Sequence, residues 1–262
     1  MKLTWLGTAS VLLELDETKL LFDPYLRRRG KDLPPFPLDA LRGVTAIFIT
    51  HPHFDHFADT KEIMAACEAP VYVNRRGTEL AQAQGFASSQ LRCLSPDDTL
   101  TFGAFTVTAR LSRHVEFDRK LIASVYARAL LPWNTRAGLH FQKLNNLYEI
   151  DKENDVLAYE ITVQGKRILL FGTAGYREEL SCPSEVDLMI YPYQGRSDLS
   201  TYSLQFLERY CPRKVFLDHF DNAFPPVSQQ IDCREFVQLA GELYPQTEIT
   251  VPEALVPYEI FG

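Results

Sequence analysis

The chain has 262 residues, of which 46% are hydrophobic and 23% charged, and its net charge is −7. This composition suits a globular protein with a sizeable core, and the acidic balance argues against general nucleic-acid binding, which needs a basic surface. No apolar run reaches the roughly 18–20 residues that cross a bilayer, so we expect no membrane partner. The first residues lack the apolar region of a signal peptide, and five cysteines without C-x-x-C spacing predict reduced thiols, both typical of a cytoplasmic protein.

The first part of the chain is predicted to be rich in strands. Residues 2–6, 10–15 and 19–22 alternate or run apolar, which predicts a three-stranded meander. The prolines of 34–37 cannot continue that sheet because they lack a ladder donor. A buried strand at 44–50 follows. The next predicted elements are a helix at 60–69, a strand at 71–73, a helix at 78–84 and a hairpin over 100–111.

Residues 115–147 have no clean period and mix aromatic with polar side chains, so we predict a partly helical insertion, either a lid or an oligomer contact. Strands and helices then alternate to the end of the chain. They comprise a hairpin at 156–170, strands at 187–191, 214–217 and 247–251, and helices at 203–210 and 231–243. The pattern predicts an α/β fold with two sheets face to face and helices outside, in one domain spanning 1–262.

The predicted strand 44–50 ends in an H-x-H-x-D-H cluster formed by His51, His53, Asp55 and His56. Each imidazole has two ring nitrogens that need partners, so three such rings in six residues cannot all lie neutral in a core. Neutral imidazole and carboxylate are preferred ligands of divalent metals. The cluster therefore predicts a metal site.

Two more histidines directly follow predicted strands, His114 after 105–111 and His219 after 214–217. Loops at one edge of a sheet commonly build a site together, so we expect both to reach the cluster. His140 lies in the 115–147 stretch, away from any strand end, and is interpreted as an ordinary side chain.

This arrangement resembles the metallo-β-lactamase fold superfamily of hydrolases, an αββα sandwich in which H-x-H-x-D-H is followed by a distant histidine, an aspartate and a last histidine. The first motif matches His51 to His56, the next histidine matches His114 and the last matches His219. Asp23 matches the buried aspartate that closes the third strand in this superfamily. Its implied role is to accept a hydrogen from a ligand imidazole. The short chain and Asp23-Pro24 also resemble the branch that contains ascorbate-phosphate lactonases and phosphodiesterase-like enzymes.

The resemblance implies one ion held by His51, His53 and His114, with zinc, manganese or iron as the expected metals. It implies a second divalent ion held by Asp55, His56 and His219. One residue departs from the pattern, because Thr173 stands where a bridging aspartate is expected. A neutral hydroxyl cannot replace a carboxylate in holding two dications together, so both one and two ions stay open.

The implied chemistry is attack of a metal-activated water on a small ester, lactone or phosphodiester. Asp55 is the expected proton acceptor if one ion binds, and Asp221 is the fallback; Asp218 is expected to point away. Thr173 also leaves open a degenerate module that binds metal or ligand without catalysis. A nuclease-type phosphodiesterase is a further alternative, although we do not expect nucleic acid as a partner.

The basic run Arg27, Arg28 and Arg29 is either a solvated loop or a phosphate-binding loop, because guanidinium groups suit phosphate oxygens. Arg196 is a second candidate for binding an anion. The expected partner is a small molecule that could carry a phosphate, and a homo-oligomer is left open.

Overall fold

A computed structural model describes residues 1–86, 89–131, 134–178 and 185–261, which form two seven-stranded sheets with helices. The first sheet has the spatial order β14 (Pro257–Glu259), β1 (Lys2–Gly7), β2 (Ser10–Leu15), β3 (Thr18–Phe22), β4 (Ala46–Phe48), β5 (Val71–Val73) and β6 (Leu91–Cys93). The strands from β14 to β3 pair antiparallel, and those from β3 to β6 pair parallel.

The second sheet repeats this arrangement. Its order is β13 (Glu248–Thr250), β12 (Lys214–Asp218), β11 (Leu188–Pro192), β10 (Lys166–Leu170), β9 (Leu157–Val163), β8 (Phe105–Leu111) and β7 (Thr99–Phe102). The strands from β7 to β10 pair antiparallel and those from β10 to β13 pair parallel. Each sheet therefore has one meander and one parallel half.

Eight α-helices and one 3-10 turn (Leu38–Leu41) lie in the described parts of the chain. The helices are α1 (Phe54–Phe57), α2 (Thr60–Ala66), α3 (Arg75–Ala83), α4 (Arg119–Ala129), α5 (Thr135–Leu147), α6 (Leu199–Tyr202), α7 (Leu204–Tyr210) and α8 (Arg234–Leu243). Within those parts, no helix combines the length and apolar character needed to cross a membrane.

The alternation of side chains along the strands explains the layers. In β3, Leu20 and Phe22 belong to the cluster between the sheets, while Leu21 belongs to a second cluster with the helices of the first half. Aromatic rings join the two sheets, since Phe48 of β4 lies 5.2 Å from Tyr159 of β9 by ring centroids. Burial of these apolar faces on both sides of each sheet stabilises the sandwich.

The predicted αββα sandwich is confirmed, with shifted boundaries. The strand predicted at 44–50 is the shorter Ala46–Phe48, and the helix predicted at 203–210 is α7, Leu204–Tyr210. Five short elements were not predicted, namely α1, α6, β6, β14 and the 3-10 turn. Each is three or four residues long, too short to show a period.

The predicted insertion contains two helices, α4 and α5, and whether it is a lid stays a prediction. Trp133, a residue of that stretch, lies outside the described residues, as does Cys182. The four cysteines within them carry free thiols, in line with the prediction.

Candidate metal centre

The histidines of the sequence pattern meet at one edge of the sandwich. His51 and His53 follow β4, and α1 then carries Asp55 and His56 on a single turn. His114 comes three residues after β8, and His219 comes directly after β12. The ends of three strands from both sheets thus deliver these side chains to one place.

The first donor group consists of His51, His53 and His114, whose candidate ligand atoms all lie within 4.8 Å of one another. Nδ1 of His114 lies 2.9 Å from the backbone carbonyl of Val115. A carbonyl only accepts, so Nδ1 carries the hydrogen and Nε2 keeps a free lone pair. The chain itself therefore selects the tautomer of His114 that can bind a metal.

A similar argument fixes His51. Its Nδ1 lies 3.0 Å from Oγ1 of Thr50, and that hydroxyl lies 2.6 Å from Oδ2 of Asp23. Because the hydroxyl donates its one hydrogen to the Asp23 carboxylate, it accepts the hydrogen of His51 Nδ1. The lone pair of His51 Nε2 is then directed to the site, where it lies 3.1 Å from Nδ1 of His53.

The second donor group consists of Asp55, His56 and His219, again with ligand atoms within 4.8 Å of one another. Oδ2 of Asp55 lies 3.3 Å from Nε2 of His219, and Oδ1 lies 4.0 Å from Nε2 of His56. The rings of His51 and His56 are 4.0 Å apart by centroids, so the two groups are directly adjacent.

Asp23 is linked to a histidine of each group on the side away from the donor atoms. It is completely buried, and besides the Thr50 hydroxyl it accepts the backbone N–H of Thr50 at 2.7 Å. Its Oδ2 lies 2.9 Å from Nδ1 of His56. Asp23 therefore lies on the Nδ1 side of both rings, linked to His51 by hydrogen bonds through Thr50 and in close contact with His56.

Burial and neighbouring imidazoles keep the first group neutral. Burial, with the nearby rings of His56 and His53, lowers the pKa of His51 well below its usual value. Burial likewise lowers the pKa of His114, and it lowers the pKa of His53 to about 4. Three neutral imidazoles at pH 7 present lone pairs rather than charges, which is the form that binds a divalent ion.

The second group behaves as an ion pair. Burial would lower the pKa of His219, but its hydrogen bond to Asp55 and the charges of Asp55, Asp221 and Asp218 raise it to about 9. Burial would raise the pKa of Asp55, but His56 and His219 hold it below its usual range. A divalent ion here would replace the proton of His219 and take over its role as counter-charge.

The donor set fits a divalent ion of borderline softness. Together the two groups offer five imidazoles and one carboxylate, and imidazole nitrogen suits zinc, iron and related metals more than magnesium or calcium. Asp55 is the single carboxylate in the two groups found among the described residues. Thr173 lies after β10, and its Oγ1 accepts the N–H of Val115 at 3.2 Å, beside the chain that carries His114.

Both carboxylate oxygens of Asp221 have partners outside the two donor groups. Its Oδ1 accepts the backbone N–H of Thr8 at 3.1 Å, and its Oδ2 contacts Arg28 Nη1 at 3.3 Å. The loop of Thr8 in turn accepts the backbone N–H of His219 at 2.8 Å. Asp221 thus anchors the loop that carries His219, and we do not carry it forward as a proton acceptor.

Three of the four predicted anion-binding arginines are paired with carboxylates, and Arg29 contacts an aromatic ring instead. Arg28 contacts Asp32 at 2.7 Å as well as Asp221, and Arg27 contacts Asp59 and Glu62. The guanidinium of Arg29 lies 4.7 Å from the ring centre of Phe224. Arg196 forms a two-point contact with Asp198 at 2.7 and 2.8 Å. Pairing with carboxylates makes Arg27, Arg28 and Arg196 less suited to receive a phosphate, and phosphate binding by the basic run stays a prediction.

Two residues near the site were missed in the sequence. Lys152 accepts the N–H of His114 with its carbonyl, and its charge lowers the pKa of both His53 and His114. Among the described residues no carboxylate lies within ion-pair distance of its ammonium, which lies 5.3 Å from the ring centre of Phe117. Tyr25 is buried, and burial and then the charge of Asp55 raise the pKa of its phenol. Neither has a sequence signal, because each reaches the site only through the fold.

Comparisons with known proteins agree with this geometry. A family model described as a beta-lactamase superfamily domain matches residues 18–125. A protein of Ligilactobacillus salivarius named UPF0173 metal-dependent hydrolase is 24% identical over 246 residues, covering 88% of this chain and 90% of its own. One from Rhizobium etli with the same designation is 30% identical over 118 residues, covering 44% of this chain and 48% of its own.

Solved structures share the fold along nearly the whole chain. The metallo hydrolase Igni18 of Ignicoccus hospitalis has a TM-score of 0.66 at 17% identity and covers 98% of both chains. An isothiocyanate hydrolase from Delia radicum gut bacteria has a TM-score of 0.63 at 17% identity, covering 99% of this chain and 98% of its own. With the strand order and the matching motif, these findings show that the chain has the metallo-β-lactamase fold.

Proposed function

We propose that this chain is a metal-dependent hydrolase that cleaves a small carboxylic ester or lactone. The observation that carries the proposal is a pair of adjacent donor groups, which meet where the ring centroids of His51 and His56 are 4.0 Å apart. A bound divalent ion would supply a Lewis acid and lower the pKa of water from about 15.7 toward 7. The two relatives named metal-dependent hydrolases support the same reaction class.

The residues of the chain divide the remaining work. Hydrolysis adds water to the acyl carbon, breaks the C–O bond and sends a proton to the leaving alcohol. If one ion occupies the group of His51, His53 and His114, Asp55, which contacts His219, is the carboxylate of the second group that would accept the proton of the attacking water. Burial and then the charge of Asp55 raise the pKa of Tyr25, so its phenol stays neutral where its ring packs on Phe54 at 6.3 Å by centroids.

The charges around the site favour an ester or lactone over a phosphodiester. Arginine forks are the usual phosphate ligands, and Arg27, Arg28, Arg29 and Arg196 all have partners. Lys152 is the cation beside the first donor group that has no carboxylate partner among the described residues. One lysine suits the single negative charge of a carboxylate product.

The test is turnover by metal-free protein to which zinc, manganese or iron is added back. We expect p-nitrophenyl esters and lactones to be hydrolysed, with bis-p-nitrophenyl phosphate cleaved more slowly. His114→Ala should abolish turnover and the binding of one ion, whereas His140→Ala is the matched control, because His140 stacks on Phe224 outside both donor groups. Tight ion binding without turnover on any panel would favour a non-catalytic binding module, which Thr173 left open.

A further inference from the structure

The helices α4 and α5 form a segment whose charge is opposite to that of the rest of the chain. Residues 119–147, here called the basic hairpin, contain five arginines and lysines and no aspartate or glutamate, so they carry +5. The whole chain carries −7, so the remaining residues carry −12. A local concentration of one charge in an oppositely charged protein directs association with partners of complementary charge.

Four of the five cations are available for such an interaction. Arg119, Lys120, Arg136 and Lys143 are exposed, and no described carboxylate lies within ion-pair distance of them. The fifth, Arg128, donates to the carbonyls of Pro226 and Val227 and so ties the basic hairpin to the loop that follows His219.

The basic hairpin also exposes apolar side chains in an ordered way. Ile122, Tyr126 and Leu130 are 40%, 64% and 74% exposed, and their spacing of four residues places them on one face of α4. We call them the apolar stripe. On α5, Leu139 and Leu147 are also largely exposed. Lys143 lies between them at the same spacing.

The opposite side of the basic hairpin faces the metal centre. Phe141 of α5 lies 5.6 Å from Phe54, the first residue of α1, and 5.3 Å from Phe224, by ring centroids. Because α1 carries Asp55 and His56, the basic hairpin stands beside the donor groups with its apolar stripe outward. Neither helix has a completely buried side chain, so its exposed face has room to contact a partner.

We propose that the basic hairpin docks this protein on an anionic lipid surface, with the apolar stripe entering the headgroup boundary. Apolar residues flanked by arginine and lysine on short helices are the pattern of peripheral interfacial helices. The alternative of a second copy of this chain fits less well, because lysine is depleted in protein interfaces and the exposed faces here combine cations with leucine. The inference is independent of the proposed hydrolase activity. It also revises our expectation of no membrane partner, which considered only spanning segments.

The experiment is sedimentation of the full chain with vesicles of phosphatidylcholine alone or mixed with phosphatidylglycerol. We expect binding only to the mixed vesicles, weakened by salt. Each basic residue near such a surface contributes about 1 kcal/mol, so reversing Arg119, Lys120, Arg136 and Lys143 to Glu should reduce binding well over tenfold. The matched control reverses four exposed arginines elsewhere, namely Arg42, Arg75, Arg213 and Arg234. It has the same net charge as the first variant, so it should lose only the binding that net charge alone accounts for.

A second variant set tests the apolar stripe without changing charge. Ile122→Ser, Tyr126→Ser and Leu130→Ser together should reduce vesicle binding at least tenfold, because the buried apolar area is lost. Leu38→Ser, Leu243→Ser and Val251→Ser remove comparably exposed side chains elsewhere and should not reduce it. Circular dichroism of each variant establishes that it is folded.

Three outcomes would overturn the proposal. The first is no binding of the parent to mixed vesicles. The second is a dimer in light scattering that the stripe variant dissociates while vesicle binding is unchanged, which would assign the stripe to a second copy. The third is that the parent and the stripe variant bind heparin equally well and bind vesicles equally well, which would indicate a general polyanion site.

Discussion

Oδ2 of Asp23 lies 2.9 Å from Nδ1 of His56, and the same carboxylate accepts two hydrogen bonds from Thr50. Asp23, which directly follows β3, thus contacts Thr50 in the loop after β4 and His56 in helix α1. Asp23 has a positive φ of 42°, a conformation that is uncommon for a residue other than glycine. This backbone turn at the end of β3 belongs to the arrangement that holds both rings.

The replacement Asp23→Asn should weaken metal binding with little change in fold. The amide keeps the volume but removes the charge that favours an Nδ1–H donor on His56, so we expect a loss of about 10- to 100-fold in zinc affinity. Competition with a fluorescent chelator measures this. Asp16→Asn is the matched control, because Asp16 has a similar φ of 52° in an exposed turn. Equal affinities in the two variants would contradict the role of Asp23.

The contact between Arg28 and Asp221 predicts a stability effect. Asp221 is 1% exposed and the side chain of Arg28 is 7% exposed, so removal of one partner leaves the other charge buried. We expect Arg28→Met to lower the free energy of unfolding by about 3 kcal/mol in urea denaturation. Arg42→Met, at an arginine whose side chain is 85% exposed, should change it by less than about 0.5 kcal/mol.

The double variant Arg28→Met with Asp221→Asn distinguishes this ion pair from general packing. If the penalty comes from an unpaired buried charge, the double variant should be more stable than Arg28→Met alone. Additive losses would show that the two side chains act independently, against the contact described here.

The sequence predicted the chemistry of the site better than its surroundings. The H-x-H-x-D-H cluster and the strand-end positions of His114 and His219 are local signals, and the structure brings all these side chains together. The partner of Arg28, by contrast, is 193 residues away at Asp221, and no local pattern reports such a contact. The same holds for Lys152, whose position depends on the carbonyl it offers to His114.

Helix boundaries failed for a related reason. Helix α1 lies within the ligand cluster, and its four residues FDHF have no amphipathic period to detect. The packing of Phe141 in α5 on Phe54 and Phe224 also depends on tertiary contacts. Residue periodicity identified 115–147 as unusual but could not indicate which faces pack.

Asp118 predicts a pH-dependent contribution to stability. It precedes α4 and accepts hydrogen bonds from the backbone N–H of Leu121 and from Ser197. Burial would raise the pKa of Asp118, but these bonds together lower it to about 2. Because the folded pKa lies below the unfolded value of about 3.9, the stabilisation is complete above about pH 4 and is lost as the pH falls toward 2.

The variant Asp118→Asn isolates that contribution. After allowance for solvent screening, it should be less stable than the parent by about 1 kcal/mol at neutral pH. The difference should shrink between about pH 4 and pH 2, since only the parent loses a charge there. Chemical denaturation of both proteins across this range measures it. A difference that stays constant with pH would mean that the charge of Asp118 does not contribute.

We expect Thr173 to limit the number of ions that the site holds. Its Oγ1 accepts the N–H of Val115, and among the described residues Asp55 is the single carboxylate of the two donor groups. Two dications near each other repel strongly unless a carboxylate lies between them. We therefore expect the parent to bind one ion tightly and a second weakly, which calorimetry combined with elemental analysis would detect.

Thr173→Asp should tighten the second site at least tenfold, whereas Thr173→Ser, which keeps the hydroxyl and adds no charge, should leave both affinities unchanged. Two equally tight ions in the parent would show that the imidazoles and Asp55 suffice without a bridging carboxylate.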